Sequence, residues 1–241
     1  MTLRGRLTEA AAAEAATAII AVLSRCAAGI TDSRLRLTGA NCADGPGMVQ
    51  VSVVVYGVPA RVQVTAPSLV DAAATAATRL ERLLSALTAP AGSADASDFA
   101  HWPHPKRRPL AIPFPGHITR LKVVKLQPIT PATAIAAMHA MDYNLHLFTD
   151  ADTGEDAAVC RRGPAGHLLI RQHTTQPPGT PVPRLVIDSR PAAALTTEQA
   201  ARRLTDHGLA HIFYTNQETG RGNVLYRRYD GNLGNLGPDD E

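Results

Sequence analysis

Val224-Leu225-Tyr226-Arg227-Arg228-Tyr229-Asp230-Gly231-Asn232-Leu233-Gly234 decides the fold, because it is a local structure signal and one half of an internal repeat. Val224, Leu225 and Tyr226 favour a pleated, half-buried conformation, and Asp230-Gly231 supplies the positive-φ residue that ends a strand in a tight turn. Sixty-six residues upstream the register recurs without gaps: Val159, Arg161 and Arg162 fall on Leu225, Arg227 and Arg228, and Thr153-Gly154 falls on Thr219-Gly220. Further back, Phe148-Thr149 matches Tyr214-Thr215, Ala134 matches Ala200, Met138 matches Leu204, and Thr130-Pro131 matches Thr196-Thr197. Pro131 suits a first helical position, where its missing N–H costs nothing. Thr196 with Gln199 forms a capping-box pattern. Each copy therefore reads as strand, helix and two-stranded hairpin: 118–126, 130–141, 144–150 and 156–162, then 184–190, 196–207, 210–216 and 222–229.

A Thr-capped helix, Phe or Tyr-Thr-(four residues)-Gly, then Val-Leu-Tyr-Arg-Arg-x-Asp-Gly-x-x-Gly resembles the C-terminal domain of long-form ribosome hibernation promoting factors. The second copy keeps nearly all of this signature. In the first, Cys160 replaces the tyrosine and Pro164-Ala165 replaces the Asp-Gly turn.

Upstream, residues 7–28 read as a helix begun by Thr8, with Ala12, Ala16, Ile19, Ile20 and Leu23 on one stripe and Gly29 past its end. Arg34-Leu35-Arg36-Leu37 alternates at strand period. Val49, Val51, Val53 and Val55 line one face of a second strand, and Arg61-Val62-Gln63-Val64 makes a third. Pro67-Ser68 opens a second helix, 69–87, with Leu69, Ala73, Ala76, Leu80, Leu83, Leu84 and Leu87 facing a core. A short strand at Leu3 to Arg6 can precede this order. It is similar to the N-terminal domain of the same factors, two helices on one face of a four-stranded sheet. In the family that domain sits in the small ribosomal subunit where messenger and transfer RNA would bind. Arg79-Leu80-Glu81-Arg82 matches the family's second helix, whereas the first helix carries only Arg25 where the family has several basic residues.

The expected fold class is α+β: an N-terminal sheet with two helices on one face, followed by two tandem small β-α-β-β modules forming a pseudo-dimer. The expected domains are 1–88, a Pro-rich basic linker 89–117, repeat one at 118–171, a second Pro-rich linker 172–183, and repeat two at 184–241. The first linker holds Lys106-Arg107-Arg108, and Leu236 to Glu241 reads as an acidic tail. If flexible, the 29-residue linker spans about 30 Å on average.

Net charge is only +3, so charge alone does not announce a nucleic-acid binder. Its distribution says more: residues 1–88 hold eight arginines against six acids, and the final 68 residues hold seven basic groups against eight acids. Insertion among phosphates needs guanidinium groups converging on one surface. The RNA-contact candidates are Arg25, Arg34, Arg36, Arg61, Arg79 and Arg82, with Lys106, Arg107 and Arg108 in the linker; the competing reading makes them solvated surface charges. Phe148, Cys160, Phe213, Tyr214, Leu225 and Tyr226 are the candidates for the pairing interface between repeats. In Arg161-Arg162 and Arg227-Arg228 a structural role is expected, with one Arg stem covering apolar surface.

No chemistry assembles elsewhere. The histidines of His101-x-x-His104 lie among prolines, and His207 and His211 straddle Gly208, so neither pair has metal-site geometry. Asp150, Asp152 and Glu155 read as a hairpin loop because the calcium-loop spacing is missing. No nucleophile elbow, phosphate-cradling loop or paired carboxylates occur, so no catalytic residue, cofactor, metal or small-molecule substrate is expected. Three scattered cysteines, no secretory leader pattern and no long apolar run point to a cytoplasmic protein without membrane contact.

The resemblance implies a factor that occupies the decoding region of the small subunit, contacts its rRNA and proteins, and silences translation by steric exclusion. An alternative is an interaction scaffold that works through the tandem repeats with little ribosome binding. Family members with one C-terminal copy self-associate through it and join two ribosomes. Two copies in one chain imply an intramolecular pair, a monomer, and single inactive ribosomes.

Overall fold

The computed structural model describes residues 1–27, 29–40, 46–88, 117–163, 165–228 and 230–239. The chain divides into two compact units, each taken by itself below.

In the first unit the strands β1 (Thr2–Arg4), β2 (Ile30–Gly39), β3 (Gly47–Val55) and β4 (Val58–Ala66) form one sheet in sequence order. β1 runs parallel to β2, and the other neighbours are antiparallel. Tyr56-Gly57 makes the β3–β4 turn with both residues at positive φ. Val49, Val51, Val53, Val55, Ala60, Val62 and Val64 are buried on one face, where helices α1 (Glu9–Arg25) and α2 (Leu69–Thr88) cover them. Thr8 caps α1 by accepting from the Ala11 amide. Ser68 accepts from the Asp71 amide at the start of α2. Gly47 is required by proximity: a Cβ there would lie 2.5 Å from the Leu69 Cα.

The second unit contains both repeats except Ala140–Asp142, at the end of the first repeat's helix, which group with the first unit. Repeat one contributes β6 (Pro128–Ile129), α3 (Pro131–Ala140), β7 (Leu145–Asp150), β8 (Asp156–Arg162) and β9 (Gly166–Arg171). Repeat two contributes β11 (Ala194–Leu195), α4 (Thr197–Asp206), β12 (His211–Asn216), β13 (Gly222–Arg227) and β14 (Leu233–Pro238). The leading strands, β5 (Ile118–Val124) and β10 (Leu185–Ile187), are exchanged. β5 lies parallel beside β14 in the sheet of repeat two, and β10 lies parallel beside β9 in the sheet of repeat one. The exchange is symmetric, because Val186 pairs with Leu168 and Arg120 pairs with Gly234, each residue 66 positions from its equivalent.

Four elements differ from the sequence expectation. Each copy has a short strand just before its helix, β6 or β11, and a third meander strand, β9 or β14, so that Leu233–Pro238 is strand where an acidic tail was expected from Leu236. Its glycines and proline weaken the alternation signal, and its pairing partners are supplied from both sides by β13 and β5.

Alternation divides the side chains of each repeat between two cores. Ala134, Ile135, Met138, Phe148, Ala157, Val159 and Leu169 pack beneath α3. Ala200, Leu204, Tyr214, Leu225 and Leu233 pack beneath α4. Between the two sheets lies a third cluster, Leu147, Ala158, Phe213 and Val224, flanked by Leu126, Ala192, Ile170 and Leu236. These are four pairs of residues 66 apart, which is the signature of a pseudo-two-fold axis. The tandem modules thus form a pseudo-dimer within one chain.

Candidate functional site

Register decides which arginines of the first unit converge. Arg34 stands opposite Ser52, which stands opposite Arg61; one row along, Arg36 stands opposite Gln50 and then Gln63. Residues directly opposite in antiparallel pairs share a face. Arg34, Arg36 and Arg61 therefore occupy the face turned away from the helices. The parallel β1–β2 pairing brings Arg4 opposite Thr38 on that same face. Arg4 was missed because parallel pairing between distant segments leaves no local signal.

The three candidates on or beside helices stand differently. Arg82 is exposed on α2. Arg25 reaches Glu81 at 3.1 Å with both side chains half exposed, a surface pair of small energetic weight. Arg79 sits 2.7 Å from Asp142, which is almost fully buried and groups with the first unit, and donates at 3.4 Å to the Gln63 carbonyl. Arg61 donates to the Met141 carbonyl of the same unit at 3.1 Å. Arg34 has an 82% exposed side chain beside Asp32. The linker cluster Lys106, Arg107 and Arg108 lies outside the described residues, as do His101 and His104.

Among the pairing candidates, Phe213 and Tyr226 contribute to the cluster between the sheets. Cys160 is buried two residues from Ala158, on the same strand face. Burial pushes its thiol up to about 12, with Asp188 adding to the rise and Arg162 opposing it. Phe148 packs beneath α3, and Tyr214 and Leu225 beneath α4, so these three serve the cores of their own repeats. Burial raises the Tyr214 phenol, while Thr197 and Asn235 hydrogen-bond its hydroxyl.

The paired arginines follow a common plan. Arg161 donates through Nε to the Tyr143 carbonyl at 2.7 Å, and Arg227 donates to the equivalent Leu209 carbonyl at 3.0 Å. Both close the chain that leaves the helix. Arg228 pairs with Asp230 at 2.9 Å.

Sequence reading missed three buried polar groups in repeat one. His139 and His167 meet Nε2 to Nε2 at 2.8 Å; burial lowers the His167 pKa and Arg161 lowers it further. Arg171 and Asp150 form a wholly buried ion pair at 2.7 Å. Asp156 crosses to repeat two and binds Arg221 at 2.8 Å. The partners in these contacts are 28, 21 and 65 positions apart, beyond any motif spacing. Among the described residues no group of three metal-ligating side chains occurs, and no helix is long and apolar enough to cross a membrane. Residues 150–155 form a hairpin loop in which the Asp150 carboxylate accepts from the Asp152 amide.

Comparison with known proteins agrees with this geometry. The family described as Sigma 54 modulation/S30EA ribosomal protein C terminus matches the chain twice, over residues 114–167 and 187–234. A protein called Dormancy associated translation inhibitor, from Mycobacterium tuberculosis strains CDC 1551 / Oshkosh and H37Rv, is 47% identical over 218 residues, which cover 86% of this chain and 76% of the relative. With both C-terminal matches on the exchanged repeats and such identity over most of its length, the chain belongs to the long-form ribosome hibernation promoting factor family.

Proposed function

We propose that this protein is a cytoplasmic translation inhibitor that binds the small ribosomal subunit in the decoding region and holds single ribosomes inactive by steric exclusion. Residues 1–88 enter the subunit, with the arginines at positions 34, 36 and 61 against rRNA phosphates and Arg25, Arg79 and Arg82 at the helix side. The basic linker 106–108 follows the phosphate backbone, and the repeats 118–171 and 184–241 act as a closed pair. Family membership and the relative's name support the inhibitory role. The observation that carries the reading is the reciprocal strand exchange: the faces that would join two factors are occupied within one chain. The tether keeps the second copy at an effective concentration on the order of millimolar, above that of any free partner.

The test is sedimentation with ribosomes at low and moderate salt. Binding that falls steeply with salt, and single ribosomes at saturation, are the expected results. Factor-dependent ribosome dimers that disappear on deletion of residues 184–241 would overturn the single-ribosome reading. A second reading, a scaffold working through the repeats, is favoured by the engagement of Arg25 with Glu81 and Arg79 with Asp142. Salt-independent or absent co-sedimentation would select it.

A further inference from the structure

The cluster between the sheets is nearly symmetric, but the polar contact beside it is not. The Asp156 carboxylate is almost fully buried; its Oδ2 lies 2.8 Å from Arg221 Nε and accepts from the Gly222 amide at 2.9 Å, and its Oδ1 accepts from Arg221 Nη2 at 3.3 Å. Gln172 completes the crossing. Its side-chain oxygen accepts from the Asp156 amide at 3.1 Å, and its nitrogen donates to the Gly220 carbonyl at 2.9 Å.

Position 156 is equivalent to 222, and 155 to 221. A Cβ added at Gly222 would lie 2.6 Å from the Asp156 Cβ, so these equivalent positions meet at the pseudo-two-fold axis. At such an axis a symmetric dimer sets each residue against its own copy. Two repeats of the first kind would bring Asp156 against Asp156, with Glu155 in place of Arg221. Buried like charges without a cation are strongly unfavourable. Two repeats of the second kind would bring Gly222 against Gly222, with two arginines and no carboxylate at the axis. Only the mixed pair supplies one acid, one cation and the space that a glycine leaves.

We propose that Asp156 and Arg221-Gly222 form a pairing lock, by which the first repeat accepts a second repeat as partner and rejects another first repeat; Glu155, which accepts from the His173 and Thr174 amides within its own repeat, enters it only as the residue equivalent to Arg221. This lock rests on the intrachain pair described above and adds a chemical reason for which halves can meet. The lock makes repeat one unsuited to symmetric association with a second copy of this chain, independently of the tether.

The test uses full-length chains. Arg221→Glu with Gly222→Asp makes both halves acidic at the axis. It should lower the thermal midpoint by roughly 10 °C, the scale of a broken buried pair, and favour aggregation or open forms. Glu155→Arg with Asp156→Gly makes both halves basic. Co-expressed with separate tags, the acidic and basic chains should co-purify as a heterodimer, whereas two differently tagged wild-type chains should not. All four changes in one chain transpose the lock and should recover a monomer and the charge-dependent part of the lost midpoint, while the new Cβ at position 222 still lies close to the Phe213 ring. An acidic chain that stays monomeric with an unchanged midpoint would overturn the lock, as would a transposed chain no better than the acidic one. Dimeric wild-type protein would instead refute the intrachain reading and leave the charge rule to be judged by the variants.

Discussion

The two repeats share a backbone plan and differ in what they bury. Both cap the helix with threonine, Thr130 accepting from the Thr133 amide and Thr196 from the Gln199 amide. Both close the 150–155 and 216–221 loops with a glycine at positive φ, Gly154 or Gly220, that donates to the carbonyl of Asp150 or Asn216. Both use an arginine, Arg161 or Arg227, to hold the carbonyl that follows the helix. Repeat one, however, encloses Asp150 with Arg171 and His139 with His167, where repeat two has Asn216, Gly237, Thr205 and Leu233. Groups that satisfy the backbone are kept because each sheet needs them separately. Interior side chains can diverge once each half meets only one fixed neighbour.

The contrast is most exposed to Arg171→Met. It leaves Asp150 buried without its cation, and should cost about 3–5 kcal/mol in urea unfolding. Asn216→Ala, at the equivalent of Asp150, should cost about 1 kcal/mol, the scale of one neutral hydrogen bond. Equal costs would remove the distinction between a charged and a neutral interior. Replacing both Asp150 and Arg171 by apolar residues should recover much of the loss, since removing a whole buried pair is far cheaper than breaking it.

Acid should act next, and mainly on repeat one. Burial holds the imidazoles of His146, His167 and His211 below the usual histidine range, with Arg161 adding to the effect at His167. The folded chain is then uncharged at these rings, while the unfolded chain takes up protons first as the pH falls. Stability is therefore complete above about pH 6.5 and is lost as the pH drops below it. The slope of the urea midpoint between pH 7.5 and 5.5 should flatten in His167→Leu, which copies Leu233, and steepen in Leu233→His. An unchanged slope in both would detach the acid limb from the repeats.

The helix caps provide a finer comparison. Thr196 belongs to a two-way capping box with Gln199, whereas Thr130 precedes Thr133 without that reciprocal bond to its backbone. Thr196→Ala should cost about 1 kcal/mol, and Thr130→Ala less, within the range for cap removal. Thermal midpoints measured side by side would rank them, and the reverse order would break the assignment.

The smallest expected effect is chemical. Cys160 occupies the place of Tyr226 and is buried with its thiol raised to about 12, so alkylation at pH 8 should spare it in the folded chain and reach it in urea. Of the two cysteines among the described residues, Cys26, half-buried at the end of α1, should react before Cys160. Equal rates in the native state would show that the space beside Ala158 opens readily.

Much of this architecture was legible because it is written in short-range patterns. Val49 to Val55 alternate, the α2 apolar stripe runs at helical period, Thr8 and Thr196 announce helix starts, and the 66-residue register equates the two modules without any knowledge of their contacts. The arginine face was half legible: Arg34 and Arg36 share a strand face by period alone, but Arg61 and Arg4 join them only through strand pairing. Of the pairing candidates, Phe213 and Tyr226 pack between the sheets, while Phe148, Tyr214 and Leu225 turn to the helices, because alternation tells which residues share a face and not which neighbour that face meets. What the amino-acid order determined by itself was therefore most of the elements, short of β6, β9, β11 and β14, with their capping and their duplication, all governed by backbone propensity within a few residues. Tertiary structure alone decided that β5 and β10 change places and that Asp156 meets Gly222 at the axis. Parallel pairing has no hairpin to mark it, and a buried charge acquires its partner only when the sheets close on one another.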